Sequence, residues 1–478
     1  MQKKLDWSSY QVDIFRAIAK TNDNLIVIAR AGSAKTTVLV EGAKYIPKGK
    51  RLLFCAFNKS IQEELSSKLG SFVDCMTLHS LGYRAVRQRF PNVVLNNNKC
   101  WEIVENLVDD PKERYDLIDN VCKTVSLCKS TIIDTSSKID DLIDQYGIDT
   151  CDVEREVFIQ YVCKALRQCK EKTDTLDYDD MVWWPFVFNL NAGSFDVVMI
   201  DECHDLSKIM IALALSVVKP GGRVIAVIDP WQAIYNWRGA DASALDNLRH
   251  RLKPKEFPLP ICYRCPKKIV ALAQKIVSDI QPFEHNGDGE IINIALVDIQ
   301  KHIKPNSYLL SRTNAPLIAL CMRLIKNGIP TNILGRDIGD GLLYLIKRSK
   351  KKKVDAFLKW LDNWEKTERK RMLDKNPRAN TEWISDKAEC LQNLCSGTSS
   401  IEEVKDNIKN LFKDGDERSI VLGSSIHRIK GKESDTVFIL ADTLRSNSEE
   451  ERRCNYVAFT RTRGKLYMVR KINIEEDE

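Results

Sequence analysis

Residues 24–40 read NLIVIARAGSAKTTVLV, and this stretch decides the fold class. The apolar run 25–28 reads as a buried strand. Ala31, Gly32, Ser33 and Ala34 read as a tight loop, and Lys35, Thr36 and Thr37 as the opening of an apolar helix. Strand, small-residue loop and helix in that order make a P-loop. Its backbone N–H groups and the helix N-terminus favour phosphate oxygens, Lys35 is suited to reach the β- and γ-phosphates, and the Thr36 hydroxyl to ligate Mg²⁺. The pattern G-x-x-x-x-G-K-[ST] is met imperfectly, because Ala29 and Ala34 occupy the two outer glycine positions. A positive φ at Ala34 would carry strain of about 1 kcal/mol or more. Taken alone, the segment also reads as a strand–turn–helix that binds no nucleotide.

Further along, residues 196–207 read DVVMIDECHDLS, an apolar strand ending in adjacent carboxylates. In a phosphate-binding α/β unit Asp201 would hold Mg²⁺ through water and Glu202 would orient and deprotonate the attacking water. Similar apolar runs at 52–57, 224–228, 308–310, 420–422, 437–440 and 466–469 alternate with helical stretches, which predicts parallel α/β sheets. They fall into one group before about residue 256 and another after about residue 307, so two sheets are expected. Helical periodicity with many charges takes over at about 87–172 and again at about 337–417. The second of these regions holds the basic run 347–353, which reads as a solvated helix face or as a contact for a nucleic-acid backbone.

A length of 478 residues with 44% hydrophobic composition implies several packed domains. The net charge of +7 suits a polyanionic partner without requiring one. The 15 cysteines are scattered, and no secretory or membrane-spanning apolar stretch stands out, so reduced thiols in a cytoplasmic protein are expected, with the nucleus left open. Cys262-x-x-Cys265 lacks the second ligand pair that a zinc site needs.

Residues 224–240, VIAVIDPWQAIYNWRGA, make the pattern specific. Together with motifs spread along the rest of the chain they resemble the UvrD/Rep/PcrA-like helicases of superfamily 1, in a compact, phage- or virus-like form. In that resemblance Gln232 senses the γ-phosphate, and Tyr235, Trp237 and Arg238 face the nucleic acid. Gln11 matches the adenine-reading glutamine, Phe57-Asn58-Lys59 and Thr77-Leu78-His79-Ser80 match DNA-contacting motifs, and Asp177-Tyr178-Asp179-Asp180-Met181 resembles the re-entry into the first core domain. In the second half, Tyr263 corresponds to an adenine-stacking residue and Arg264 to one that meets the γ-phosphate. Arg312-Thr313-Asn314 and His427 fall in DNA-contacting motifs, Glu433 in the nucleotide set, and Arg461 at the arginine finger. Departures are Ala34, Cys203-His204 where Ala-Gln is usual, Ile228 for glycine, and Lys432 for leucine.

The resemblance implies two RecA-like P-loop NTPase domains in tandem, each with a mainly helical insertion. Core domain 1A would span 1–86 and 173–256, insertion 1B 87–172, core domain 2A 257–336 and 418–478, and a short 2B-like insertion 337–417. It further implies an ATP- and Mg²⁺-dependent DNA helicase, monomeric in translocation, moving 3′ to 5′ on single-stranded DNA and at junctions with duplex, in replication, repair or recombination. Two alternatives stand beside it: a translocating ATPase, stimulated by single strands, that unwinds poorly, and a nucleic-acid-binding relic without catalysis. Phe57 and Tyr178 read equally as core or as stacking residues, whereas Trp237, in a polar segment beside Arg238, reads as a stacking surface.

Overall fold

A computed structural model describes residues 6–56, 58–109, 114–151, 153–235, 239–241, 243–375, 381–413 and 419–471. The chain divides into two units, 1–260 and 261–478.

In the first unit, strands β1 (Leu25–Ala29), β2 (Leu52–Ala56), β3 (Val73–Thr77), β4 (Phe195–Ile200), β5 (Val218–Ile228) and β6 (Lys255–Leu259) form one sheet in the order β3-β2-β4-β5-β1-β6. Every pairing is parallel. Continuous apolar runs suit this arrangement because side chains alternate between two covered faces. Leu25, Val27, Phe54, Met199 and Val227 pack beneath helices Ser9–Lys20 and Lys35–Ala43, against Ile14, Phe15, Val38 and Leu39. Ile26, Leu53, Val198, Ile200 and Ala226 point the other way, into a core shared with the helices between β3 and β4. Those helices include Lys99–Glu105, Tyr115–Thr131, Ser136–Tyr146 and Arg155–Glu171.

The helical region is fastened by buried charge. Asp180, with no side-chain exposure, lies 2.6 Å from the Lys99 ammonium and 2.8 Å from that of Lys129. Asp177 lies 3.0 Å from Lys129. Both lysines also sit over indole rings, Lys99 at 4.3 Å from Trp184 and Lys129 at 5.5 Å from Trp183. Removing one partner of a buried ion pair leaves an uncompensated charge in low dielectric. Asp180→Asn is therefore expected to destabilise the first unit by about 3–5 kcal/mol, read as an earlier unfolding transition in denaturant. A shift within error of zero would mean that solvent reaches the cluster.

In the second unit, β7 (Glu290–Ala295), β8 (Tyr308–Ser311), β9 (Thr331–Ile333), β10 (Val421–Ser425), β11 (Ser434–Leu440) and β12 (Thr462–Arg470) form a second parallel sheet in the order β7-β12-β11-β8-β10-β9. Between β9 and β10 lie helices Arg336–Ser349, Val354–Lys375, Glu382–Cys395 and Ile401–Leu411. Their buried residues Leu342, Phe357, Ile384, Leu391 and Val404 join Leu309, Ile318, Val421 and Phe438 in one hydrophobic cluster, so these helices and the sheet share a core. Among the described residues the protein is thus α/β with two large parallel sheets, as the sequence predicts, beside two short two-stranded ones. Among the described residues, no helix is long and apolar enough to cross a membrane.

Candidate nucleotide and nucleic-acid site

The loop after β1 turns on two left-handed residues, Gly32 at φ 70° and Ala34 at φ 62°. Ala34 is the N-cap of helix Lys35–Ala43 and offers no side-chain cap, so the first helical N–H groups stay available to an anion. Ala31 and Ser33 are fully buried, Thr37 is exposed, and the Ser33 hydroxyl has no hydrogen-bond partner among the described residues. An orphaned buried donor inside an anion-wrapping loop fits a phosphate. The methyl group of Ala34 sits where an L side chain is strained. Ala34→Gly is expected to stabilise the protein by about 1 kcal/mol, an upward shift of roughly 2–4 °C in the melting of this unit, and to tighten ATP binding. An unchanged or lower melting temperature would show that glycine's extra freedom in the unfolded chain outweighs the strain.

Side chains at the ends of β1, β4 and β5 converge on this loop. The Lys35 ammonium donates to Glu202 Oε2 at 2.6 Å and the Thr36 hydroxyl donates to Asp201 Oδ2. Burial works against the charge on Lys35, but Glu202, Asp229 and Asp201 together hold its pKa above the ordinary lysine value. Burial, reinforced by the neighbouring Glu202, pushes the Asp201 carboxyl up to about 6, against the Thr36 hydrogen bond and the Lys35 charge. Gln232, after β5, is buried and donates from Nε2 to Asp229 Oδ2 at 2.5 Å. Asp229 is itself fully buried, and burial raises its pKa against the pull of Lys35 and Arg30. Thr36 and Asp201 present adjacent hydroxyl and carboxylate oxygens, the hard donors that Mg²⁺ takes. Gln11 is buried in helix Ser9–Lys20, where its side chain accepts from the Ser8 N–H at 3.0 Å in a capping box.

In the second unit Arg264 pairs with Glu433, which also lies 3.6 Å from Arg463. Tyr263 stands at 4.8 Å from the Phe283 ring. Arg461 is buried at 2% exposure, its guanidinium donating to the Val457 carbonyl at 2.9 Å and to the Thr460 hydroxyl at 3.2 Å. Cys262 and Cys265 flank Tyr263-Arg264, both fully buried, and the Cys265 N–H donates to Cys262 Sγ at 3.3 Å.

The expected nucleic-acid residues divide into three groups. His79 and Tyr178 meet edge to face at 6.2 Å between ring centroids, with Tyr178 54% exposed. They come together because Gly82 lets helix Leu78–Arg89 approach helix Tyr178–Val187 so closely that a Cβ there would collide with the Met181 carbonyl. Burial lowers the His79 pKa, keeping that ring neutral and able to stack. A cavity of about 420 Å³ lies beside the pair, lined by His79, Tyr235, Lys129, Asp179, Asp205 and Met210 among others.

A second group is already engaged within the fold. Asn58 caps helix Lys59–Leu69 by accepting the Ile61 N–H at 2.9 Å. Arg312 forms a fork with Glu451 at 2.9 Å, Asn314 Nδ2 donates to Asp386 at 2.9 Å, and His427 Nε2 meets Cys454 Sγ at 3.5 Å. The third group, Phe57, Trp237 and Arg238, lies outside the described residues. Nothing local in the sequence marks Asp386, whereas His204, a departure from the expected pair, keeps the capacity to hydrogen-bond across the site, and its Nδ1 accepts the Asp229 N–H at 3.1 Å.

The family model for the UvrD/REP helicase N-terminal domain matches residues 11–253, and that for the UvrD-like helicase C-terminal domain matches residues 421–469. The chain is 24% identical over 400 residues to the ATP-dependent DNA helicase PcrA of Bacillus subtilis (strain 168), covering 69% of this chain and 52% of that protein. It is 22% identical over 388 residues to PcrA of Staphylococcus epidermidis, with 69% and 52% covered. To a probable DNA helicase II homolog of Mycoplasma genitalium it is 22% identical over 292 residues, with 54% and 41% covered. The chain thus spans about half the length of the curated PcrA relatives it matches. With a family model covering more than half of its residues and the phosphate loop, paired carboxylates and glutamine gathered at the ends of one parallel sheet, the chain belongs to the UvrD/REP helicase family.

Proposed function

We propose that the protein is an ATP-driven motor that moves along single-stranded DNA, 3′ to 5′, and separates duplex DNA in replication, repair or recombination. The observation that carries the reading is the gathering of Lys35, Thr36, Asp201, Glu202 and Gln232 around one phosphate-wrapping loop. Lys35 leaves Glu202 for the β- and γ-phosphates, Thr36 and Asp201 hold Mg²⁺, and Glu202 accepts the proton of the attacking water. Bound Mg²⁺ supplies charge neutralisation on the phosphate oxygens. Gln11 and Tyr263 take the adenine, with Ala31, Gly32, Ser33, Ala34 and Thr37 lining the phosphates and Glu433 in the same set. Arg264 and Arg461 are the cations whose loss is expected to stop hydrolysis.

Strand contact is assigned, motif by motif, to His79, Tyr178 and Tyr235, to Phe57, Trp237 and Arg238, and to Asn58, Arg312, Asn314 and His427. Stacking contributes about 1–3 kcal/mol per base without reading sequence, which suits a contact remade at every step. In this reading 1–86 with 173–256 and 257–336 with 418–478 are the two core domains, and 87–172 and 337–417 their insertions. A monomer suffices for translocation, and the protein works inside the cell.

The test is ATP hydrolysis with and without single-stranded DNA, with single-stranded RNA as competitor, followed by strand displacement on 3′- and 5′-tailed duplexes. DNA-stimulated hydrolysis with displacement of the 3′-tailed substrate is the expected result. Stimulated hydrolysis without displacement would leave a translocase, and neither binding nor hydrolysis of ATP would leave a nucleic-acid-binding relic.

A further inference from the structure

We infer that His204 is a positioning residue for Glu202, tying the carboxylate that activates water to the turn that carries Gln232. The inference rests on the ATP-hydrolysis reading and deepens it. His204 follows Glu202 in the short 3₁₀ turn Cys203–Asp205 and is 1% exposed. Its Nδ1 accepts the backbone N–H of Asp229 at 3.1 Å. A ring nitrogen that accepts a hydrogen bond carries no proton, so the neutral ring carries its proton on Nε2. That nitrogen lies 3.3 Å from Glu202 Oε2 and 3.8 Å from Asp205 Oδ1.

Two further observations show why such a tether is needed. Glu202 sits in the left-handed region, at φ 48° and ψ 42°, a conformation that strains a non-glycine residue and persists only where its surroundings impose it. Its carboxylate is held by Lys35 at 2.6 Å as well as faced by His204. Lys35 is the group that phosphate would draw away, and the imidazole Nε2, 3.3 Å from Oε2, then stays within reach to donate to it. On the ring's other side, Asp229 accepts both the Trp231 N–H at 3.1 Å and the Gln232 amide at 2.5 Å, so His204 links Glu202 to the base of the Gln232 turn. A buried histidine that merely fills space has no reason to direct one nitrogen at each of these two elements.

The two nitrogens can be replaced separately. The amide nitrogen of His204→Gln falls near the place of Nε2 and keeps a donor for Glu202, whereas the shorter His204→Asn reaches only the place of Nδ1, where its amide oxygen can accept the Asp229 N–H. With saturating single-stranded DNA, His204→Ala and His204→Asn are expected to lose about tenfold or more in kcat, with KM for ATP within about twofold of the parent, and His204→Gln to recover most of that loss. In the Glu202→Gln background, His204→Ala is expected to cost nothing further, because a residue acting through Glu202 has no effect once the carboxylate is gone. Equal behaviour of the Asn and Gln variants, a loss confined to KM, or an additive loss in the double variant would overturn the inference. The parent and Glu202→Gln proteins run in the same assay separate the two readings. A parent that hydrolyses ATP while Glu202→Gln does not upholds the motor reading whatever His204 does, and a parent that hydrolyses none removes both.

Discussion

Glu202→Gln is expected to slow ATP hydrolysis by about 10²–10⁴-fold, the range spanned by general-base catalysis, while ATP binding is retained. The substitution keeps shape and one acceptor oxygen but removes the basicity that accepts a proton from water. Lys35 loses the partner at 2.6 Å, yet Asp229 and Asp201 also favour its charge, so the ammonium stays protonated and available to phosphate. The check is single-turnover hydrolysis beside the binding of a fluorescent ATP analogue. A rate within tenfold of the parent would remove Glu202 from the chemistry. Lost binding with an unchanged single-turnover rate would make it a structural counter-ion of Lys35.

How far such a site can be read from sequence depends on how tightly physics restricts each position. The central strands were legible. Leu52–Ala56 is buried at every position, and a strand covered on both faces has no alternative to a continuous apolar run. The strands of the two six-stranded sheets that the apolar runs missed, Val73–Thr77, Lys255–Leu259, Glu290–Ala295 and Thr331–Ile333, are the four edges of those sheets. Each has a neighbour on one side alone, and polar residues such as Asp74, Lys255, Glu256 and Asn293 are tolerated there. Their signal is diluted for the same reason that they end the sheet.

The phosphate loop was legible because only small residues and one Lys-Thr pair serve its chemistry, and even its flaw was visible: Ala34 occupies the left-handed position that its glycine-replacing place predicts. Partnerships across the chain were not. The Asp386 carboxylate takes the N–H groups of Asn314 and Ala315 at 3.0 and 2.8 Å from a helix some 70 positions away, and no local pattern reports such a cap. The fork of Glu451 on Arg312 was not legible either, since charge spacing in sequence does not reveal which cation a carboxylate meets. Both partnerships bear on function, because DNA that uses Arg312 or Asn314 must compete with a carboxylate already in place.

Arg461→Ala is expected to lower DNA-stimulated kcat by about 10³–10⁵-fold, the range for removal of an arginine finger. The guanidinium lies in the interior of the second unit on neutral acceptors, with the Lys432 carbonyl at 3.5 Å beside the Val457 carbonyl and the Thr460 hydroxyl. Burial, then the like charge of Arg264, pulls its pKa down to about 10, so the group remains a cation at neutral pH but an unfavourably placed one. A cation held this way gains from meeting an anion, and a phosphate oxygen offers more than a carbonyl does. The same burial means that deletion also strips donors from buried carbonyls, at about 1–3 kcal/mol, so loss of rate has to be separated from loss of fold. Arg461→Lys makes the separation. It keeps the charge and most of the packing but lacks the planar fork, and is expected to be nearly as slow as Arg461→Ala while melting closer to the parent. Near-parental hydrolysis by Arg461→Lys would show that the position needs only a positive charge. Equal slowing of both variants in step with falling melting temperature would make Arg461 a structural residue, and would shift the second unit's chemical role to Arg264.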